Sequence, residues 1–258
     1  CREAERYGVA IHHSELVGLI PQEALVDAAV WYTQLDQFEK DQILETRLYA
    51  SQEKANFLDE LANVNPTPGG GSAAAYSAAM GAGLVAMVAR LSIGRKKYAD
   101  VEDEMKAVLD EAEELRAKLT AAVEEDAASF TAIMQAFKLP KGTDEEKNAR
   151  SQAIQDATLY ASEVPLQTAH DAVNVMALAL KVASVGNSNA ITDGASGAAM
   201  ARAALTSAGY NVRINLGSLK DRAKAEELLN ALKRLEAKAD EIDESLRSVL
   251  NERGGLTF

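Results

Sequence analysis

The residues able to do chemistry in this chain are few, and the most telling is an acid out of place. From Val101 to Phe137, apolar or small residues recur in steps of three or four: Val101, Met105, Val108, Ala112, Leu115, Leu119 and Ala122, then Ser129, Ile133 and Phe137. Between them, at the position a core residue should take, stands Asp126. On a helix that spacing puts all of them on one face. A carboxylate there is flanked by turns that offer no water, so ionising it costs free energy unless a partner compensates. Such an acid is either a buried structural group or one that gives and takes protons at a displaced pKa.

Three other groupings carry polar chemistry. Asn65-Pro-Thr-Pro-Gly-Gly-Gly-Ser-Ala-Ala-Ala75 is a proline and glycine loop running into a helix that Ser72 is expected to cap. It is either a linker or a set of bare amides at a helix N-terminus, presented to an anionic or carbonyl oxygen; it lacks the Gly-Lys-Ser/Thr ending of a P-loop. Gly94-Arg-Lys-Lys-Tyr98 is the one dense basic cluster. It reads as a solvated helix end or a seat for a carboxylate-bearing ligand. Asn187, Asn189 and Asp193 crowd a glycine-flanked junction, and Asn211-Val-Arg-Ile-Asn215 places three polar side chains on one side if extended, or over a helical turn if not.

The elements that must position these residues are helical. From Ser51 onward the strong patterns have helical period, so the expected class is all-α, a multi-helix bundle. Its centre is the Ala/Gly-rich run Ser72 to Leu91, whose small residues suit a helix surrounded by neighbours. That run is nearly apolar enough to span a membrane, but Ser72, Ser77 and Arg90 within it, and the lack of a second such span, favour a buried helix of a soluble protein. Thr143-Asp-Glu-Glu146 is a capping box for a helix that Pro165 should kink or break. Val173 to Val185 should be buried, Ser218 should cap a last amphipathic helix, and the tail Arg253 to Phe258 should fray.

Residues 1–50 read differently, as a short α/β remnant separate from a helical domain at 51–258. Tyr7 to Ile11 is a strand candidate, Pro21 opens a helix, and His12 and His13 beside the strand, like His170 further on, read as ordinary polar residues. The chain starts with Cys, as a fragment would.

Composition sets limits. The chain has 258 residues, 47% hydrophobic and 26% charged, a soluble globular balance. One cysteine and three histidines provide neither a disulfide nor a Cys/His metal cluster, so no metal is expected. A net charge of −12 argues against nucleic acid and, with no signal peptide legible, for a cytoplasmic protein.

Taken in order, Pro66-Thr-Pro-Gly-Gly-Gly-Ser-Ala-Ala-Ala75, Gly94-Arg-Lys-Lys-Tyr98, Asp126 with Phe130, Leu139-Pro-Lys141, Glu163-Val-Pro165, Gly186-Asn187 with Asp193, and Asn211-Val-Arg-Ile-Asn215 resemble the formiminotetrahydrofolate cyclodeaminase family over about residues 51 to 252. Ser14-Glu-Leu-Val-Gly-Leu-Ile-Pro21 and Asp41 to Leu48 resemble the closing segment of glutamate formiminotransferase domains, the unit fused to cyclodeaminases in bifunctional enzymes. The body of that domain, with its catalytic histidine, is missing from the sequence, so formiminotransfer is not expected of this chain alone.

The resemblance implies a dimerising all-α domain that closes 5-formiminotetrahydrofolate to 5,10-methenyltetrahydrofolate with loss of ammonia, without metal or redox cofactor. It carries the catalytic role to Asp126. Pro68, Gly69, Gly70, Gly71 and Ser72, with Asn187, Asn211 and Asn215, are then expected to hold the pterin and the reacting centre, and Asp193 the pterin's donor edge. Arg95, Lys96 and Lys97 are expected to take the glutamate carboxylates of a polyglutamylated tail. Two rivals remain: a methenyltetrahydrofolate cyclohydrolase, and a non-catalytic helical dimerisation module.

Overall fold

The computed structural model describes residues 2–13, 15, 17–39, 42–45 and 56–257. The chain divides into two compact units, 1–55 and 56–258. In the first, α1 (Arg2–Arg6) and α2 (Gln22–Thr33) are helical, with Pro21 in the N-cap position of α2. The expected strand at Tyr7 to Ile11 is not formed, and no strand exists among the described residues. Tyr7, Gly8 and Val9 instead turn their amides back onto the carbonyls of Ala4 and Glu5. A single extended segment with no neighbouring strand leaves its backbone groups unpaired, which is why it does not persist. Ser14, Leu16 and half of Asp41 to Leu48, on which the formiminotransferase resemblance rests, lie outside the described residues.

The second unit is a helical bundle: α3 (Phe57–Leu61), α4 (Gly70–Ser92), α5 (Glu102–Phe137), α6 (Asp144–Val185), α7 (Ile191–Ser218) and α8 (Arg222–Gly254), with 3-10 turns at Lys96–Val101 and Ser188–Ala190. Helix α4 is long and apolar enough to cross a bilayer, yet it is the hub of this bundle, packed by α5, α6 and α7. Its small residues make that approach possible. A methyl group on Gly81 would stand 2.6 Å from the Gly197 carbonyl oxygen, so α4 and α7 meet almost backbone to backbone. Around it, Val85, Val88, Met105, Leu119, Val175, Met176, Leu205 and Leu232 are fully buried.

Contrary to the expectation of a surrounded helix, one stripe of α4 is uncovered: Tyr76, Met80, Met87 and Leu91 are 36–42% exposed. Three neighbours cover three sides of a cylinder and leave the fourth.

Local sequence signals act where they should in some places and not in others. Thr143 and Glu146 form the reciprocal capping box at the start of α6. Helix α4 starts earlier than Ser72, with Gly69 as its cap, which frees the Ser72 hydroxyl for another partner. Helix α8 is capped by Asp221, whose carboxylate accepts from the Lys224 amide at 2.9 Å, and not by Ser218, the last residue of α7.

Pro165 does not break α6, which runs 42 residues through it. The Ala161 carbonyl that proline leaves without an amide donor is taken by the side-chain amide of Asn215 at 2.6 Å. Nor does the tail fray at once. Gly255, at φ 66°, ends α8 in the left-handed conformation, and the Gly255 and Leu256 amides bond back to Asn251 and Leu250. Arg253 donates to the Ala183 carbonyl at 2.7 Å and to that of Gly186, satisfying the end of α6.

Candidate active site at the N-terminus of the central helix

The stripe along α5 behaves as its spacing requires: Met105, Val108, Ala112, Leu115, Leu119 and Ser129 are buried. At Asp126 this face leaves the core and becomes the wall of a cleft of about 290 Å³. The opposite wall is the loop Pro66, Thr67, Gly69, Gly70 and Gly71; Ala161 of α6 and Asn211, Ile214 and Asn215 of α7 close the third side. Phe130 and Ile133, one and two turns beyond Asp126 on α5, make its floor apolar. The volume sits at the foot of the ~300–1,000 Å³ range usual for ligand pockets, and the cleft is open on one side.

Asp126 is half-buried, and its Oδ2 accepts from the Ser72 hydroxyl at 2.8 Å. The Ser72 backbone amide, in the first turn of α4, also donates to the carboxylate. The carboxylate thus sits where a helix N-terminus favours negative charge. Burial works against this and is the larger effect, so the acid is pushed up from its ordinary value while the two Ser72 hydrogen bonds pull it back part of the way. Among the described residues no cation is paired with it.

Asp171 provides the contrast. It is the more buried acid, but Lys118 Nζ lies 2.9 Å from both of its oxygens and Gln167 donates at 3.0 Å. That is a structural ion pair with its charge compensated. Asp126 has its charge destabilised and left facing a cavity, the arrangement of a group that exchanges protons.

Glycine at 71 is required by this contact. A methyl group there would lie 2.0 Å from Asp126 Oδ1 and 2.6 Å from Cγ. Gly70 is under no such constraint: a methyl there would make ordinary contact with Asn211 Nδ2 at 3.5 Å. Asn211 Nδ2 donates to the Ser207 carbonyl at 3.0 Å and Asn215 Nδ2 to Ala161, so each side chain keeps its oxygen and one N–H for a ligand. Residues 211–215 are helical within α7.

The structure separates the remaining expected site residues from this cleft. Pro68 belongs to the loop but is not among the residues that wall it. Arg95, Lys96 and Lys97 follow the far end of α4, about 30 Å away along twenty residues of helix. Asn187 is there too, and it is consumed structurally. Its Nδ2 donates to the Leu91 carbonyl at 3.1 Å, and its backbone amide to Ser92 Oγ at 2.8 Å, closing the C-terminal end of α4. Asp193 begins α7 at the same end. Within one chain these five residues therefore stand outside the cleft that holds Asp126, and their order along the chain does not reveal it.

That far end forms a cluster of its own, which residue types alone did not single out. The Tyr98 hydroxyl accepts from the Ser188 amide at 2.9 Å and lies 3.1 Å from Ser188 Oγ, while Lys97 Nζ donates to the same Oγ at 3.3 Å. The Ser188 hydroxyl holds the Tyr98 phenol down to about 8, against the opposing effect of burial.

Comparison with known proteins gives three kinds of match. The sequence model of a family described as Formiminotransferase-cyclodeaminase matches residues 53–234. A methenyltetrahydrofolate cyclohydrolase of Methylorubrum extorquens is 48% identical over 190 residues, covering 74% of this chain and 91% of that protein. The formimidoyltransferase-cyclodeaminase of Mus musculus is 30% identical over 85% of this chain, which spans only 47% of its length. Among solved structures, a formiminotetrahydrofolate cyclodeaminase from Thermotoga maritima superposes with a TM-score of 0.70 at 28% identity, covering 78% of this chain and 98% of that one.

Proposed function

The chain belongs to the formiminotransferase-cyclodeaminase family, and on that footing we propose that its helical unit is a formimidoyltetrahydrofolate cyclodeaminase with Asp126 as the proton carrier. The observation that carries this reading is the state of Asp126: a carboxylate raised by burial, unpaired with any cation among the described residues, and held by Ser72 at the edge of a cleft. In the reaction, N10 of the folate attacks the formimino carbon and loses a proton. The carbon–nitrogen bond to the departing amine breaks once that amine has gained one, so ammonia leaves and the methenyl bridge remains. One carboxylate of raised pKa serves both transfers, and relays of this kind contribute ~10²- to 10⁴-fold. In its ionised form the same group stabilises the cationic amidinium and methenyl carbons.

The exchange changes no oxidation state, which supports a reaction without a redox cofactor, and a metal is not proposed because no group of His, Cys, Asp and Glu among the described residues is placed to hold one. The side-chain oxygens of Asn211 and Asn215 are placed to accept from the pterin's N–H groups. The substrate is read as a polyglutamylated folate, the enzyme as a cytoplasmic homodimer, and residues 1–50 as the closing stretch of a formiminotransferase unit.

A second reading is favoured by the 48% identity to a cyclohydrolase. In it the same acid directs water onto the methenyl carbon. Supplying 5-formiminotetrahydrofolate and 5,10-methenyltetrahydrofolate separately, and following the methenyl absorbance with ammonia release, decides between them. Gain of absorbance with stoichiometric ammonia supports the cyclodeaminase; loss of absorbance without ammonia supports the cyclohydrolase. A protein inert toward both, or an Asp126→Asn variant as active as the parent, overturns the assignment.

A further inference from the structure

Pro165 stands where a proline is least welcome, fully buried near the middle of α6. In a helix interior it costs more than any other residue, because it has no N–H and its ring crowds the carbonyl four positions earlier. That carbonyl belongs to Ala161, which lines the Asp126 cleft, whereas Pro165 itself does not. Ala161 is buried, so its carbonyl needs a donor from the protein, and Asn215 of α7 supplies one through Nδ2 at 2.6 Å.

This bond also sets which way the Asn215 amide faces. A carbonyl oxygen only accepts, so the nitrogen branch of the planar amide must point to Ala161 and the oxygen branch away from it. Turning the amide over would bring two oxygens face to face and leave the Ala161 carbonyl without a donor. Asn211, on the same wall of the cleft, is held less firmly. Its Nδ2 donates at 3.0 Å to the Ser207 carbonyl, which in a continuous helix already takes the Asn211 backbone amide. Turning that side chain over leaves no carbonyl unpaired.

Resting on the functional reading above, we propose that Pro165 is a positioning residue for the reaction: by withholding one backbone amide from Ala161, it holds the Asn215 side chain ready with its oxygen presented to the N–H groups of the pterin. The proline touches no ligand and acts through the Ala161 carbonyl and Asn215. With alanine at 165, α6 supplies its own amide to Ala161, and Asn215 loses the acceptor that oriented it. The ligand must then order the amide on binding, so the loss falls on KM and leaves kcat unchanged.

Two measurements test this. In the first, Pro165→Ala should raise KM for the formimino substrate about 2- to 10-fold, the usual cost of immobilising one side chain on binding. Asn215→Ala removes the amide and should raise KM as well. In that background Pro165→Ala should have no further effect, because the residue it acts through is gone. An equal rise of KM in both backgrounds, or none in either, overturns the proposal.

The second needs no turnover. Hydrogen exchange of the Asn215 side-chain amide, followed by NMR and assigned by its disappearance in Asn215→Ala, should be slower in the parent than for an exposed asparagine. In Pro165→Ala it should reach the exposed rate; equal rates in parent and variant overturn the proposal. Should the unmodified protein convert neither folate, the functional reading falls by itself, and the exchange still decides whether the proline sets the amide.

Discussion

Gly71 and Asp126 compete for the same space: a methyl group on the glycine would stand 2.0 Å from the carboxylate oxygen. The first turn of α4 and the third quarter of α5 come this close because the carboxylate takes its hydrogen bonds from Ser72, one residue further along. Gly71→Ala should therefore push the Asp126 carboxylate aside without unfolding the bundle, since alanine is the better helix former. A displacement on the ångström scale at a reacting group costs ~10²-fold in rate. Initial rates with the formimino substrate, set beside an unchanged far-ultraviolet circular dichroism spectrum, check this.

Asp126→Asn should lose ~10²- to 10⁴-fold in turnover while gaining stability at neutral pH. The sign follows from the raised pKa. The folded state binds this proton more tightly than the unfolded chain, so between the two values the native protein holds more protons and its stability falls as pH rises. Above the folded value the full penalty of a buried charge is present, and the neutral amide is spared it. The melting temperature of the variant should exceed that of the parent at pH 7. The gap should close as pH falls below ~3.9, the ordinary aspartate value. A variant less stable than the parent at pH 7 would contradict the account.

Asn215→Leu should destabilise the protein by ~1–3 kcal/mol, because it leaves the Ala161 carbonyl without a donor. The same substitution in a Pro165→Ala background should cost clearly less, since alanine restores a backbone amide one helical turn beyond Ala161. Urea unfolding of the four proteins of this cycle measures the coupling; equal costs in both backgrounds would separate Asn215 from the proline.

Tyr98 should titrate near pH 8, about two units below an ordinary phenol. Difference absorbance of phenolate should show one early tyrosine in the parent and none in Tyr98→Phe. Because its folded pKa is depressed, ionisation of Tyr98 contributes stability that is fully present above ~10 and is lost as pH falls through about 8. The stability of the parent relative to Tyr98→Phe should accordingly rise between those two values.

How much of this was legible beforehand differs from residue to residue. Asp126 stood out because a helical period of apolar residues makes one acid conspicuous, and the motif order that includes it identified the family. The Thr143 capping box was legible for the same kind of reason, as both partners lie within one turn. Pro165 misled, because the donor that repairs its missing bond is Asn215, fifty positions away. Ser72 misled as well: whether a serine caps its own helix or bonds a neighbour depends on what the neighbour presents. Asn187 shares a motif with Asp193, but its amide is spent on the end of α4.

The sequence by itself determined the helical class, the approximate elements and the candidate acid, since periodicity, caps and composition are properties of neighbours along the chain. Only the tertiary structure decided which polar residues meet. Asp126, the Gly69 to Gly71 loop, Asn211 and Asn215 converge because α4, α5 and α7 pack at one end of the bundle. The basic turn and Asn187 lie at the other end because a rigid helix of 23 residues holds the two ends apart. A helix fixes distance as firmly as it fixes which residues share a face, and the distance between two motifs is what their order along the chain leaves out.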